Sequence, residues 1–393
     1  MNTPTEKSFL VFSGGNDRAV LGFLRALRLC GERASIVART RNDKILRTRF
    51  RADVNWIRDS HDLTLDIFKQ CLQHVREAVG QRGLLVLPST EYFNTFLLQN
   101  RSEIERMGCE IPLVDASIYN LLTGKRTATD FFGTADIAVP RELSASTDLQ
   151  PPLVAKPLHN VSDAGRSLYP QLLETHSQVA AFRASNDIGE YFFQEYVRGE
   201  NLYLLFFLAR DGKCDLIWSQ RNILQQPNGK SMLLAERADF HRSTTAARMV
   251  EGLRAVGFWG LGMIEVIRTA RGDIFIEMNP RIWGPVQFCL DQNQPLLQAF
   301  IGQTLYGDAL RFIGTLPDGN PPRRNKYFWF GGLAATLAAR GKPVWHTARR
   351  SLFKIVLGTL LDDVFLRMDS WRCFFYESIS ALKLAWHRER PEN

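Results

Sequence analysis

Paired cysteines are missing from this sequence, and with them the two frameworks that cysteine most often builds. Its six cysteines (Cys30, Cys71, Cys109, Cys214, Cys289 and Cys373) form no CxxC pair and have no histidine at zinc-ligand spacing. That fits a reducing compartment and argues against a disulfide scaffold or a structural zinc. They read as small buried hydrophobes. Long apolar runs are missing too. The longest run near the C-terminus, IVLGTLL, is far short of the roughly 18 to 20 residues of a membrane span. The apolar stretch at the start is soon interrupted by Asn16, Asp17 and Arg18, unlike a secretory leader. The expectation is a cytoplasmic protein without a membrane span. There is also no internal repeat and no low-complexity tract. What remains is 393 residues, 45% hydrophobic and 23% charged, an ordinary globular composition too long for one simple core.

The formal charge of +8 suits an anionic partner: a nucleotide, a nucleic acid, a membrane surface or an acidic metabolite. The densest basic run, RTRNDKILRTRFR (Arg39 to Arg51), holds one aromatic and no nucleic-acid motif. It reads as a solvated loop and helix face, and no nucleic-acid partner is expected.

Strand and helix patterns alternate through the first hundred residues. FLVF runs into Ser13-Gly14-Gly15, after which Val20, Phe23, Leu24 and Leu27 fall at helical spacing behind a cap at Asn16 or Asp17. ASIVA and LLVLP read as further buried strands of a parallel α/β layer. Ligands in such layers sit beyond the carboxyl ends of strands, which singles out the loops Ser13 to Asn16 and Ser89 to Glu91. Without a full GxGxxG the first is better read as a tight turn than as a dinucleotide site, and Glu91 also suits the first turn of a helix. From about Ala116 strands dominate: LVAKP, YFFQEYV, LYLLFFLA, DLIWSQ and a hairpin. Short turns between them argue for antiparallel pairing. TLPDGNPPRRN (Thr315 to Asn325) is a breaker before a helical tail in which Phe353, Val356, Leu357 and Leu360 stand at core spacing. Three units are expected: an α/β parallel-sheet domain over 1–115, a two-lobed α+β domain over 116–314 and a helical C-terminal segment over 315–393.

The hairpin MIEVIRTARGDIFIEMNPRIWG (Met263 to Gly284) carries the strongest signal. A three-residue turn Ala270-Arg271-Gly272, with Gly272 at positive φ, sets Thr269 opposite Asp273. Ile267 then faces Phe275, and Glu265 faces Glu277. Glu265, Glu277 and Asn279 share one face while Ile264, Ile276 and Met278 take the other. Like charges directly opposite destabilise a strand pair. Either both acids are solvated, or a cation sits between them. Magnesium fits, because it takes one or two carboxylates and leaves its other positions to phosphate and water.

Phosphates call for a lysine or backbone amides. In LVAKPLHNVSDAG, Lys156 closes a strand before a polar loop ending at Gly165, from where it can reach phosphates. Alone it would read as a surface lysine. FFQEYVRGE is a strand that ends in an acid, an aromatic and a small apolar residue before Arg198-Gly199-Glu200. Its backbone can pair with an adenine rim and Glu200 with ribose hydroxyls, or it is a strand before a solvated turn.

Taken in order, Lys125, the AKP lysine, QEYVRGE and the IEV/IEMNPR hairpin resemble the ATP-grasp superfamily, closest to carboxylate-amine ligases of the carbamoyl-phosphate synthase and biotin carboxylase-like branch, over roughly residues 85 to 310. The resemblance implies two lobes gripping ATP, with Lys125 and Lys156 on phosphates, Glu195 and Val197 on adenine, and Glu200 on ribose. It implies Glu265, Glu277 and Asn279 on Mg²⁺ (or Mn²⁺), with Arg281 facing an acyl-phosphate centre and Lys156 sharing the catalytic work. Relatives usually carry a glycine-rich phosphate loop after the AKP lysine; HNVSDAG stands here, which puts turnover rate in question more than ATP binding. The implied activity joins a small-molecule carboxylate to an amine, releasing ADP and phosphate. A bicarbonate-using enzyme and a non-catalytic nucleotide-binding protein on the same fold are the alternatives. The tail, with KYFWFGG and DSWRCFFYES, matches no transferable motif. It reads as packing on the catalytic lobe, with a substrate lid, a homodimer face and a peripheral membrane contact as alternatives.

Overall fold

The computed structural model describes residues 7–80, 82–144, 149–158, 168–315, 324–348 and 350–389. Its first part contains β1 (Lys7–Phe12), α1 (Asp17–Leu29), β2 (Ala34–Ala38), β3 (Val54–Ile57), α2 (Leu65–Val79), β4 (Gly83–Val86), α3 (Glu91–Gln99), α4 (Arg101–Arg106) and β5 (Cys109–Glu110). The strands form a parallel sheet in the order β3-β2-β1-β4-β5. Strand order reverses between β1 and β4, so the loops after these two strands leave from the switch point where such sheets bind ligands. β1 is apolar on both sides because both are covered. Phe9 and Val11 pack with α1, and Leu10 and Phe12 with Phe68 and Leu72 of α2.

Two short helices follow, α5 (Ala116–Thr123) and α6 (Lys125–Thr134), and then a small antiparallel lobe. It consists of β6 (Glu142–Leu143), β7 (Leu153–Pro157), β8 (Gln171–Leu173), α7 (His176–Ser185) and β9 (Tyr191–Glu195), with strand order β6-β9-β7-β8. Leu153, Ala155, Leu173, Phe182, Tyr191 and Phe193 give this lobe a core of its own. By alternation, Val154, Lys156, Phe192 and Gln194 occupy the opposite face.

The large sheet begins with β10 (Glu200–Leu208), β11 (Asp215–Gln225) and β12 (Met232–Arg237). After α8 (Thr244–Ala255) come β13 (Gly260–Thr269) and β14 (Gly272–Asn279), then α9 (Gln287–Asp291) and α10 (Leu296–Tyr306). β15 (Lys326–Phe328), α11 (Phe330–Ala338) and β16 (Val344–Trp345) complete it, in the order β14-β13-β10-β11-β12-β15 with β16 also paired to β11. Tyr203, Leu205 and Phe207 share one core with α1, α9 and α10, while Leu202, Leu204 and Phe206 share the other with α2, α5, α6 and α8. Both cores therefore join the first sheet to the large one.

The helical C-terminal segment is present as α12 (Leu352–Thr359) and α13 (Trp371–Glu389), preceded by the two strands it lends to the large sheet. It docks on α1 through Arg25, which donates to both oxygens of Asp369 at 2.8 Å and to Gln287 at 2.8 Å. The expected core face of α12 is corrected by the structure. Ile355 and Thr359 are buried, while Phe353 and Leu357 are exposed. LFKIVLGT is apolar almost all round, so spacing alone cannot choose its inner face; the cluster of Leu224, Leu234, Phe328 and Leu333 beside it does.

Candidate active site

Glu265 and Glu277 do stand opposite one another, but the hairpin reaches that pairing by another route than its spacing suggests. Thr269 faces Gly272, at φ 111°, leaving Ala270 and Arg271 alone in the turn. Ile267 then faces Ile274 and Val266 faces Phe275, until a bulge at Ile276 restores the Glu265–Glu277 pair. The bulge sends Phe275, rather than Ile276, into the core beside Ile264 and Met278. The extra residue of a bulge is left out of the ladder, and here the Ile276 carbonyl accepts from Lys156 Nζ at 3.1 Å. Lys156 is therefore a buried bridge from the small lobe to the large sheet, 9% exposed. The surface-lysine reading is overturned, because β7 turns Lys156 away from its own core toward β14.

Each acid is held by an amide. Asn201 Nδ2 donates to Glu265 Oε1 at 2.5 Å, Asn201 in turn accepts from Asn222, and Asn222 accepts from Gln220 Nε2 at 2.9 Å. Asn279 Nδ2 donates to Glu277 Oε1 at 2.8 Å, and Asn279 Oδ1 accepts from Arg281 at 2.7 Å. Across the strands, register lines up Glu277, Glu265, Tyr203 and Gln220. A buried chain of amides leading to one carboxylate fixes that carboxylate's position.

The electrostatics are those of charges competing in a dry place. Burial raises the Glu265 carboxyl above its ordinary value, and Glu277 adds to the rise. Burial pushes the Lys156 amine down to about 8 against the pull of Glu277 and Glu265, with Lys125 adding to the fall. Burial likewise lowers Lys125, opposed by Glu91 and Glu277. The Tyr203 hydroxyl is raised by burial and then by the two glutamates, with Arg18 and Arg281 acting the other way. Clusters of perturbed ionisable groups of this kind mark functional sites more often than chance. Glu91, in the first turn of α3 behind the cap Thr90, is thereby drawn into the same electrostatic cluster.

The structure thus groups Lys125, Lys156, Glu265, Glu277, Asn279 and Arg281. Glu195, Val197 and Glu200 lie apart from that group, on the crossing from the small lobe to the large sheet. Glu195 ends β9 and accepts from Arg271 at 3.0 Å, Val197 is buried, and Glu200 opens β10 and accepts from Arg221 at 2.8 Å. Gly199 belongs there for steric reasons, since a Cβ would stand 2.1 Å from the Arg268 carbonyl oxygen. The loop from His159 to Gly165 lies outside the described residues. Ser13 to Asn16 forms a closed turn, with Gly14 at φ 86°, Ser13 Oγ donating to Asp43 at 2.7 Å and the Gly14 carbonyl accepting from Arg39 at 3.1 Å.

Gln194 was not expected. It is 1% exposed, neither amide atom has a hydrogen-bond partner among the described residues, and it shares the Lys156 face of the small lobe. Its signal was a glutamine inside an aromatic strand, and a buried unpaired amide calls for a ligand or water. Asn201, Tyr203 and Asn222 were missed as well, being polar residues at period two in strands that are otherwise apolar.

Glu265, Glu277 and Asn279 offer two carboxylates and an amide oxygen, the hard donors that suit magnesium. Buried Glu265 and half-buried Glu277, set opposite one another, fit a divalent cation, whose charge would offset the burial and the Glu277 repulsion that lift Glu265. Among the described residues no three His, Cys, Asp or Glu side chains gather for a metal.

No family model matches the chain, and no curated protein matches it by sequence. Solved structures do resemble it. Biotin carboxylase from Campylobacter jejuni, in complex with β,γ-ATP, superposes at a TM-score of 0.53 with 13% identity, covering 75% of this chain and 70% of that one. An N5-carboxyaminoimidazole ribonucleotide synthetase in its ADP complex gives 0.57 and 15%, covering 77% of each. An L-amino acid ligase from Bacillus licheniformis gives 0.56 and 12%, covering 80% and 78%. With a small lobe facing a large antiparallel sheet behind a parallel-sheet domain, and with these neighbours, the chain has the ATP-grasp fold.

Proposed function

We propose that this protein is an ATP-dependent carboxylate-amine ligase working through an acyl phosphate. The observation that carries the reading is the opposed pair Glu265 and Glu277, each tethered by an amide, with Lys156 of the facing lobe bonded to the same β14 strand. Lys125 and Lys156 bind the ATP phosphates, the Glu195–Val197 backbone takes adenine, and Glu200 takes ribose after exchanging its contact with Arg221. Glu265, Glu277 and Asn279 would hold magnesium, which would supply neutralisation of the phosphate charge.

A substrate carboxylate oxygen attacks the γ-phosphorus as the bond to the β-phosphate oxygen breaks, releasing ADP. An amine nitrogen then attacks the acyl carbon, phosphate departs, and the nitrogen loses a proton. Arg281 presents a planar fork of donors to the acyl phosphate. The chain need supply no covalent nucleophile, because positioning and charge neutralisation carry this chemistry.

The test is ADP release measured over paired amino acids and sugar acids, with mass detection of the product. Release that requires both a carboxylate and an amine supports the reading. Release stimulated by bicarbonate with no amine requirement replaces it with a carboxylase-type enzyme, and ATP binding without turnover across the screen replaces it with a nucleotide-binding protein.

A further inference from the structure

The described residues expose 17 large hydrophobic side chains, and 11 of them lie between Phe353 and Trp386. Scattered single exposures are ordinary, whereas a contiguous apolar patch marks an interaction site. On α13 the outward positions Trp371, Phe375, Ile379, Leu382 and Trp386 follow one another at intervals of three or four residues, so they form one stripe. The inward positions are small or committed: Cys373, Ala381, and Glu377, which accepts from Lys44 at 2.5 Å and from the Trp329 indole at 2.8 Å. On α12, Phe353 and Leu357 stand 76% and 74% exposed on the side away from buried Ile355. Leu361, just beyond that helix, is 78% exposed.

Among the described side chains, the exposed charge on these two helices has one sign. Arg350, Lys354, Arg372 and Lys383 are exposed, and none has a salt bridge among the described residues. The acids of the segment whose side chains are described are turned elsewhere. Asp363 is fully buried and accepts from the Phe330 amide at 2.7 Å, Asp369 pairs with Arg25, Glu377 pairs with Lys44, and Asp362 is half-buried. No helix is long and apolar enough to cross a membrane among the described residues. Aromatic and aliphatic side chains outward, with unpaired cations on the flanks, is the composition of a helix that lies in a lipid headgroup layer.

We propose that α12 and α13 form a peripheral docking surface for an anionic lipid bilayer. The apolar stripe enters the boundary between headgroups and acyl chains, and Arg350, Lys354, Arg372 and Lys383 meet lipid phosphates. A second copy of this chain is the weaker occupant, because a two-fold contact through this face brings its cations together with no exposed acid among the described side chains to answer them. The net charge of +8 favours approach to a negative surface over self-association.

The test uses the full-length protein and sedimentation with vesicles of pure phosphatidylcholine or of phosphatidylcholine with phosphatidylglycerol. Two variants accompany it, F353S/L357S/F375S/I379S and K354E/R372E/K383E, with thermal melts to check folding. The expected result is binding to the anionic vesicles alone, weakened by salt and reduced by more than about tenfold in each variant. Absence of binding to anionic vesicles, or equal binding to neutral ones, overturns the proposal. So does light scattering that shows a concentration-dependent dimer abolished by the serine variant, since the surface then belongs to a second copy.

Discussion

Two regions of this molecule break the usual rule of burial in opposite directions. At the β13–β14 hairpin ionisable side chains are inside: Glu265 and Lys156 are 8% and 9% exposed. On the C-terminal helices it is the aromatics and aliphatics that are outside. Buried charges cost free energy unless compensated, and large exposed apolar patches cost solubility. Neither arrangement stabilises the isolated chain, and each is where we propose a ligand: a polyanion with its cation at the first, a lipid surface at the second. The contrast also separates the tests, because changes at the hairpin should alter chemistry and leave the outer surface intact.

The largest expected effect is at Glu277. Glu277→Gln removes one of the two opposed carboxylates and relieves a like-charge pair. ATP turnover should fall on the order of 100-fold while the melting temperature holds or rises. Turnover within about threefold of the unmodified protein removes Glu277 from the reaction.

Next is Lys156→Met, which keeps the aliphatic volume but loses the amine on the Ile276 carbonyl. ATP affinity, read by calorimetry, should drop roughly tenfold or more, the worth of a charge-assisted hydrogen bond. Unchanged affinity assigns Lys156 to joining the lobes alone. Arg281→Lys should keep ATP affinity and lose about tenfold in ligase rate, since lysine offers a point charge where a fork is needed; equal losses in both quantities would place Arg281 on ATP itself. The last effect is structural and leaves the chemistry intact. Gly199→Ala drives a Cβ toward the Arg268 carbonyl and should cost about 1–3 kcal/mol in urea denaturation, with no loss showing that the crossing yields.

The fold was legible where periodicity had one answer. β1, β2 and β4 are short apolar runs between helical patterns, and they form the expected parallel layer. The carboxylate pair was legible too, though through two differences that cancel: the turn is one residue shorter than expected, and the bulge at Ile276 restores the register. A bulge leaves no period-two signature in IFIE, so its effect on Phe275 and Ile276 could not be read. The burial of Lys156 and Gln194 was not legible because it depends on a second lobe closing over their face of the sheet. The inner face of α12 was misread since LFKIVLGT offers apolar residues in several directions. The amides Asn201, Asn222 and Gln220 stand on the consecutive strands β10 and β11, and only the sheet order, which sets β10 between β11 and β13, brings them to Glu265.

The central claim is that the protein activates a carboxylate as an acyl phosphate, and hydroxylamine tests it most directly by standing in for the amine. The protein is incubated with magnesium, ATP, hydroxylamine and a panel of amino acids and sugar acids, and hydroxamate and nucleotide products are quantified together. The account predicts that at least one carboxylate yields hydroxamate with an equal amount of ADP, and that Glu277→Gln yields neither. AMP and pyrophosphate in place of ADP, or no hydroxamate from any carboxylate, would contradict it.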